Sequence, residues 1–147
     1  MRKLLIAFIA LGGLAGAKPV TDSHKLFTLQ VPDAWTAPAE AAQSGWKNEK
    51  NTGAMTITSV PLKEKTLDQW AKGVSRQNPK TSVADEKLDG QPAKRLEFTN
   101  AEGYTNVIWL ARKGKQGALV SLVYSGECQD DVAAIRKSIV SSFHWTK

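Results

Sequence analysis

Apolar positions along this chain repeat with two periods, and the switches between them mark out the elements. Phe27, Leu29 and Val31 alternate with Thr28 and Gln30, the period of a half-buried strand, and Pro32-Asp33 closes it because proline cannot donate to a ladder. Lys18–Lys25 reads as a polar lead-in, Ala34–Gly45 as a loop and Trp46–Lys50 as a brief second strand. Asn51-Thr52-Gly53 reads as a turn, and Ala54–Leu62 as a strand carrying Met55, Ile57 and Val60. At Thr66 the period changes. Thr66-Leu67-Asp68-Gln69 fits a capping box, with the Thr66 hydroxyl on the third helical N–H and Gln69 reaching back to the cap. Leu67, Trp70, Ala71 and Val74 then lie on one helical face, and Asn78-Pro79 is expected to end the helix.

Beyond Thr81–Leu88, a polar segment expected at a sheet edge, Asp89-Gly90 signals a tight turn. A strand through Leu96 and Phe98 follows, then a turn at Asn100–Gly103. Val107–Ala111 and Ala118–Tyr124 are apolar at both phases, which predicts interior strands covered on both faces. They are expected to join across Lys113–Gly117. Val132, Ile135, Ile139, Val140 and Phe143 form the face of a last helix. Short connections favour antiparallel pairing. The pattern predicts an α+β domain whose sheet is covered by two principal helices on one face or on both.

Composition adds an address. The first residues read as a cleaved export signal, 1–17: Arg2 and Lys3, the apolar run Leu4–Leu11, and Ala15-Gly16-Ala17 as the small-x-small site before Lys18. The uncharged stretch is shorter than the roughly 20 residues a membrane-spanning helix needs. Ala17 stands where lipidation would require Cys, so a periplasmic or secreted protein is expected, with no lipid anchor. Residues 18–147 are then one domain. Of the 147 residues 41% are hydrophobic and 23% charged, as in a globular chain. Without Arg2 and Lys3 the net charge of +6 falls to +4, and bases alternate with acids, which argues against a nucleic-acid partner. A monomer is expected.

Chemistry-bearing residues are few. His24 and His144 form no zinc spacing; they could serve a metal if both met near the chain ends with Asp22. Cys128 stands alone near a helix start beside Glu127, Asp130 and Asp131, and reads as an inert thiol. Ser121, Ser125, Ser141 and Ser142 lie in no nucleophile elbow, and a hydrolytic triad would have to use His24 or His144. No catalytic, cofactor or metal residue is assigned. Trp35, Trp70 and Trp109 fit core positions, whereas Trp46 and Trp145 are candidate exposed aromatic anchors for a partner.

Phe27–Trp35 resembles the F-x-x-x-x-P-x-x-W strand that opens PsbP-like, Mog1-like and DcrB-like proteins. Gly90–Arg95 resembles the start of their hairpin, and Ile139–Phe143 the end of their last helix. The resemblance implies an α/β/α sandwich around a mainly antiparallel sheet and a theme of protein binding without catalysis. The expected function is that of an exported accessory protein with a protein or envelope partner. The alternative is a small-molecule or metal carrier, or a minor hydrolase, using a pocket between sheet and helix.

Overall fold

The computed structural model describes residues 16–37 and 44–146. The expected signal up to Ala15, and the middle of the Ala34–Gly45 loop, lie outside the described residues. Strands β1 (Ala17–Thr21), β2 (Phe27–Pro32), β3 (Gly45–Lys47) and β4 (Gly53–Pro61) lead to helix α1 (Leu67–Ser75). Then come β5 (Ser82–Leu88), β6 (Gln91–Thr99), β7 (Thr105–Lys113) and β8 (Gln116–Tyr124), helix α2 (Val132–Ser142) and β9 (His144–Trp145). Six strands form an antiparallel sheet in the order β3-β4-β8-β7-β6-β5, and β1-β2-β9 form a second, smaller one.

Period-2 alternation divides the core between the two faces of the large sheet. Ile57, Val120 and Trp109 lie side by side across β4, β8 and β7, with Met55, Val107 and Leu122 on the same side. Phe27, Leu29 and Val31 of β2 and Ile135 and Ile139 of α2 pack there, so the small sheet and α2 cover this face. The opposite face carries Leu96, Leu110, Ile108 and Leu119, and α1 lays Trp70 and Ala71 on it. β7 and β8 are thus interior strands buried from both sides, as their unbroken apolar runs predict.

Local chemistry fixes the connections. Asp89 and Gly90 have φ of 53° and 73°, the left-handed pair a two-residue hairpin needs, and β5 sits at the sheet edge. Thr66 caps α1 by accepting from the Gln69 N–H at 3.1 Å; the Gln69 side chain accepts from Lys65 N–H, one residue before the cap. Asp131 caps α2 by accepting from Ala134 N–H.

Four expectations need correction. The polar lead-in contains β1, paired with β2 from Ala17↔Pro32 to Thr21↔Thr28; as the edge of a small sheet it needs little apolar signal and tolerates Pro19. The β7–β8 connection is two residues long, since Lys113 already pairs with Gln116. α1 ends at Ser75, before Asn78-Pro79. Trp46 and Trp145, read as exposed anchors, are buried. Trp46 stands opposite Met55 in a core-facing register, and Trp145 sits edge-on to Phe143 and Phe27, with ring centroids 5.3 and 6.1 Å away.

Gly117 lets α1 approach. A Cβ there would stand 2.7 Å from Cη2 of Trp70 and 2.9 Å from Cδ2 of Leu62, inside any real carbon contact. Gly117→Val is expected to destabilise the fold by about 1–3 kcal/mol through overpacking. Urea unfolding followed by tryptophan fluorescence measures this, and unchanged stability would show that Trp70 is not fixed against β8.

Candidate functional site

The sequence-stated chemical residues are placed apart. His24 contacts Ser59 of β4, with Nδ1 2.6 Å from Oγ, while His144 sits with its Nδ1 3.2 Å from Asp89. The two histidines therefore hold different partners and do not meet at Asp22. Among the described residues no group of three or more His, Cys, Asp or Glu side chains could hold a metal ion. Cys128 lies beside Asn48, whose amide donates to Asp130 Oδ2 at 2.8 Å and whose carbonyl oxygen accepts from the N–H groups of Thr52 and Gly53. That cluster ties the β3–β4 turn to the approach of α2.

Asp22, Ser59 and His24 have the composition of a hydrolytic triad in a different order. A triad places histidine between serine and acid, using both ring nitrogens. Here Ser59 stands in the middle: it donates to Asp22 Oδ2 at 2.7 Å and accepts from His24 Nδ1–H. Its proton is thus committed to a buried carboxylate. Asp22 also accepts from the backbone N–H groups of His24, Leu26 and Phe27 at 3.1, 2.6 and 2.9 Å. Burial alone would raise the Asp22 pKa, but the Ser59 hydroxyl and these three N–H groups together hold it below the ordinary carboxylate value. The arrangement anchors a loop. Ser59 was missed in the sequence, although it falls at the core-facing phase of Met55 and Ile57, where a polar residue needs a partner.

The large concavity lies elsewhere. A groove of about 690 Å³ separates the start of α1 from the β5–β6 hairpin, lined on one side by Leu67 and Asp68 and on the other by Asp85, Glu86, Pro92 and Lys94. Lys94 Nζ bridges it, 2.9 Å from Asp68 and 2.5 Å from Asp85. Asp85 holds Lys94 more firmly protonated, with Asp68 second, and Lys94 in turn holds the Asp68 pKa down. Beside the groove runs β5, which pairs with β6 alone in the sheet. Its Val83 is 49% exposed, the one large apolar side chain so exposed among the described residues. Alternation puts Val83, Asp85 and Lys94 on the α1 side.

Asp22→Asn is expected to cost about 1.5–3 kcal/mol at pH 7, because an amide cannot serve all four donors. A depressed folded pKa stabilises above the unfolded value near ~4 and is lost as pH falls through the folded value. Denaturation of both proteins between pH 7 and pH 2 should therefore show the gap narrowing in acid. A gap independent of pH would remove the carboxylate charge from the account.

Among the described residues no helix is long and apolar enough to cross a membrane. No protein-family model and no curated protein sequence matches the chain. Solved structures do. Cyanobacterial PsbP (CyanoP) from Synechocystis sp. PCC 6803 superposes with a TM-score of 0.62 at 15% identity, covering 91% of this chain and 95% of that one. A mutant of the protein Mog1 gives 0.57 at 12% identity, covering 88% and 95%. A Bacteroides thetaiotaomicron VPI-5482 protein gives 0.59 at 14% identity; 88% of this chain is covered, spanning about half of that longer one (48%). The antiparallel sheets and two helices of the described residues and these superpositions together establish that the chain has the PsbP/Mog1-like fold.

Proposed function

We propose that this is an exported accessory protein of the cell envelope, acting without catalysis by binding an extended segment of a partner protein along β5. The observation that carries this is the open β5 edge beside the 690 Å³ groove. An edge strand offers unpaired N–H and C=O groups on its outer side, and an added strand gains main-chain hydrogen bonds while its side chains enter neighbouring hollows. Leu67 and Pro92 supply an apolar lining for such side chains, and Val83 supplies an anchor. Asp85, Glu86 and Lys87 charge the same strand, which opposes indiscriminate pairing of two copies. The protein-binding theme of the resemblance favours the same reading. Export rests on Arg2 and Lys3, the apolar run and Ala15-Gly16-Ala17.

Two measurements test the proposal. With a photoreactive phenylalanine derivative at Val83, irradiation of intact producing cells should give an adduct of discrete mass, and the same residue at exposed Lys50 should not. Val83→Glu should reduce recovery of that partner at least fivefold without lowering Tm. Equal adducts at both positions, or none, would refute docking at β5. For export, the mass of the protein recovered outside the cytoplasm should correspond to a chain starting at Lys18; retention of Met1 would overturn the address.

A further inference from the structure

A second, smaller groove of about 290 Å³ lies on the other side of the β5–β6 ribbon, under α2. Arg95 and Trp109 form its sheet side; Arg136, Lys137 and Val140 form its helix side, and Glu86 stands at its edge. Arg95 and Trp109 are direct cross-strand neighbours, so both project toward α2.

The hydrogen-bonding inventory of this groove is lopsided. Its acceptors are engaged: Glu86 Oε2 takes Arg95 at 3.0 Å, and Glu97 takes Arg136 at 2.7 Å. The Ser141 hydroxyl donates to the Ser138 carbonyl. Donors remain. Lys137 has no ion pair among those found between the described residues, and Arg95 spends one terminal nitrogen on Glu86, leaving others. Beneath them, Trp109 is 1% exposed and its Nε1–H has no partner among the described residues. A buried indole N–H ordinarily finds an acceptor, and leaving one unmet costs about 1–3 kcal/mol. Three cations, Arg95, Arg136 and Lys137, face two carboxylates, so the groove also carries a net positive charge.

From this we infer that the groove between β6–β7 and α2 is a binding site for a small oxyanion, a carboxylate or phosphate group, held by Arg95 and Lys137 and reaching the Trp109 indole. Such a group presents acceptors alone, matching the unspent donors, and a planar guanidinium suits its paired oxygens. The indole nitrogen is closed to solvent, so an oxygen reaches it only as a side chain lining the groove moves aside. This site is independent of docking at β5 and stands if that reading fails.

The test is a titration of the ¹⁵N-labelled chain with sodium acetate and, separately, inorganic phosphate, against sodium chloride at matched ionic strength. The indole resonance of Trp109, assigned by its loss in Trp109→Phe, should shift saturably with one or both oxyanions. The indoles of Trp35 and Trp145, which also lack partners among the described residues, should not follow it. Arg95→Gln and Lys137→Gln, at half-exposed or exposed positions, should each weaken binding at least fivefold at unchanged Tm. Saturation by acetate alone assigns a carboxylate, by phosphate alone a phosphate, and by both the shared chemistry. A shift that is linear in salt, common to all indoles, or unaltered in both variants would overturn the site.

Discussion

Four donors converge on the carboxylate of Asp22, two from the loop between β1 and β2, one from Phe27 at the start of β2 and the fourth from Ser59 on β4. Among the described residues the small sheet has no backbone ladder to the large one. Its attachment rests on apolar packing, which is non-directional, and on two polar links: Asp22 to Ser59, which specifies where the β1–β2 loop must stand, and β9 to Asp89, where the Trp145 N–H donates to the carboxylate at 3.1 Å. With the loop set, β2 brings Phe27, Leu29 and Val31 over the large sheet, and Phe27 then supplies the surface for Phe143 and Trp145. The chain end closes on the same place: Thr146 N–H donates to the Leu26 carbonyl, and its hydroxyl to that of Lys25. The loop that Asp22 ties down and the turn that carries Asp89 thus hold the last strand between them.

Elements whose burial is written in their own periodicity were legible in the sequence. β7 and β8 announce two covered faces, and Leu67, Trp70, Ala71 and Val74 announce the face α1 lays on Leu96 and Leu110. What was not legible depends on partners distant in sequence. β1 carries little apolar pattern because β2 supplies its pairing, and β9 is two residues long, below the length at which alternation means anything. Trp46 and Trp145 looked unattached for the same reason; their burial comes from Met55 across a ladder and from Phe27 more than a hundred positions away.

The candidate site was hidden for a further reason. Neither groove is marked by a motif, since each arises where a helix crosses the β5–β6 ribbon. Even the edge position of β5, readable from its polarity, says nothing of the hollow beside it. The polar residue at a core phase, Ser59, was the sort of signal that sequence alone can yield, and it led to an anchor: a hydroxyl whose proton is held by a buried, ionised carboxylate is poorly placed to act as a nucleophile.

Alternation along β6 unites the two grooves. Lys94 and Arg95 are consecutive, so they project to opposite faces, Lys94 toward α1 and Arg95 toward α2. Each meets an acid from β5, Asp85 for Lys94 and Glu86 for Arg95, so the ribbon carries an ion pair on either side. The Lys94–Asp85 pair is open to solvent and contributes little to stability, while the Arg95–Glu86 pair is partly buried. Their effect is rather to hold two cations of β6 in place beside the edge strand β5. Glu86 borders both grooves, so the carboxylate that pairs with Arg95 on the α2 side also lines the hollow on the α1 side. That shared residue makes the β5–β6 ribbon, rather than the β3 edge, the common wall of the two grooves.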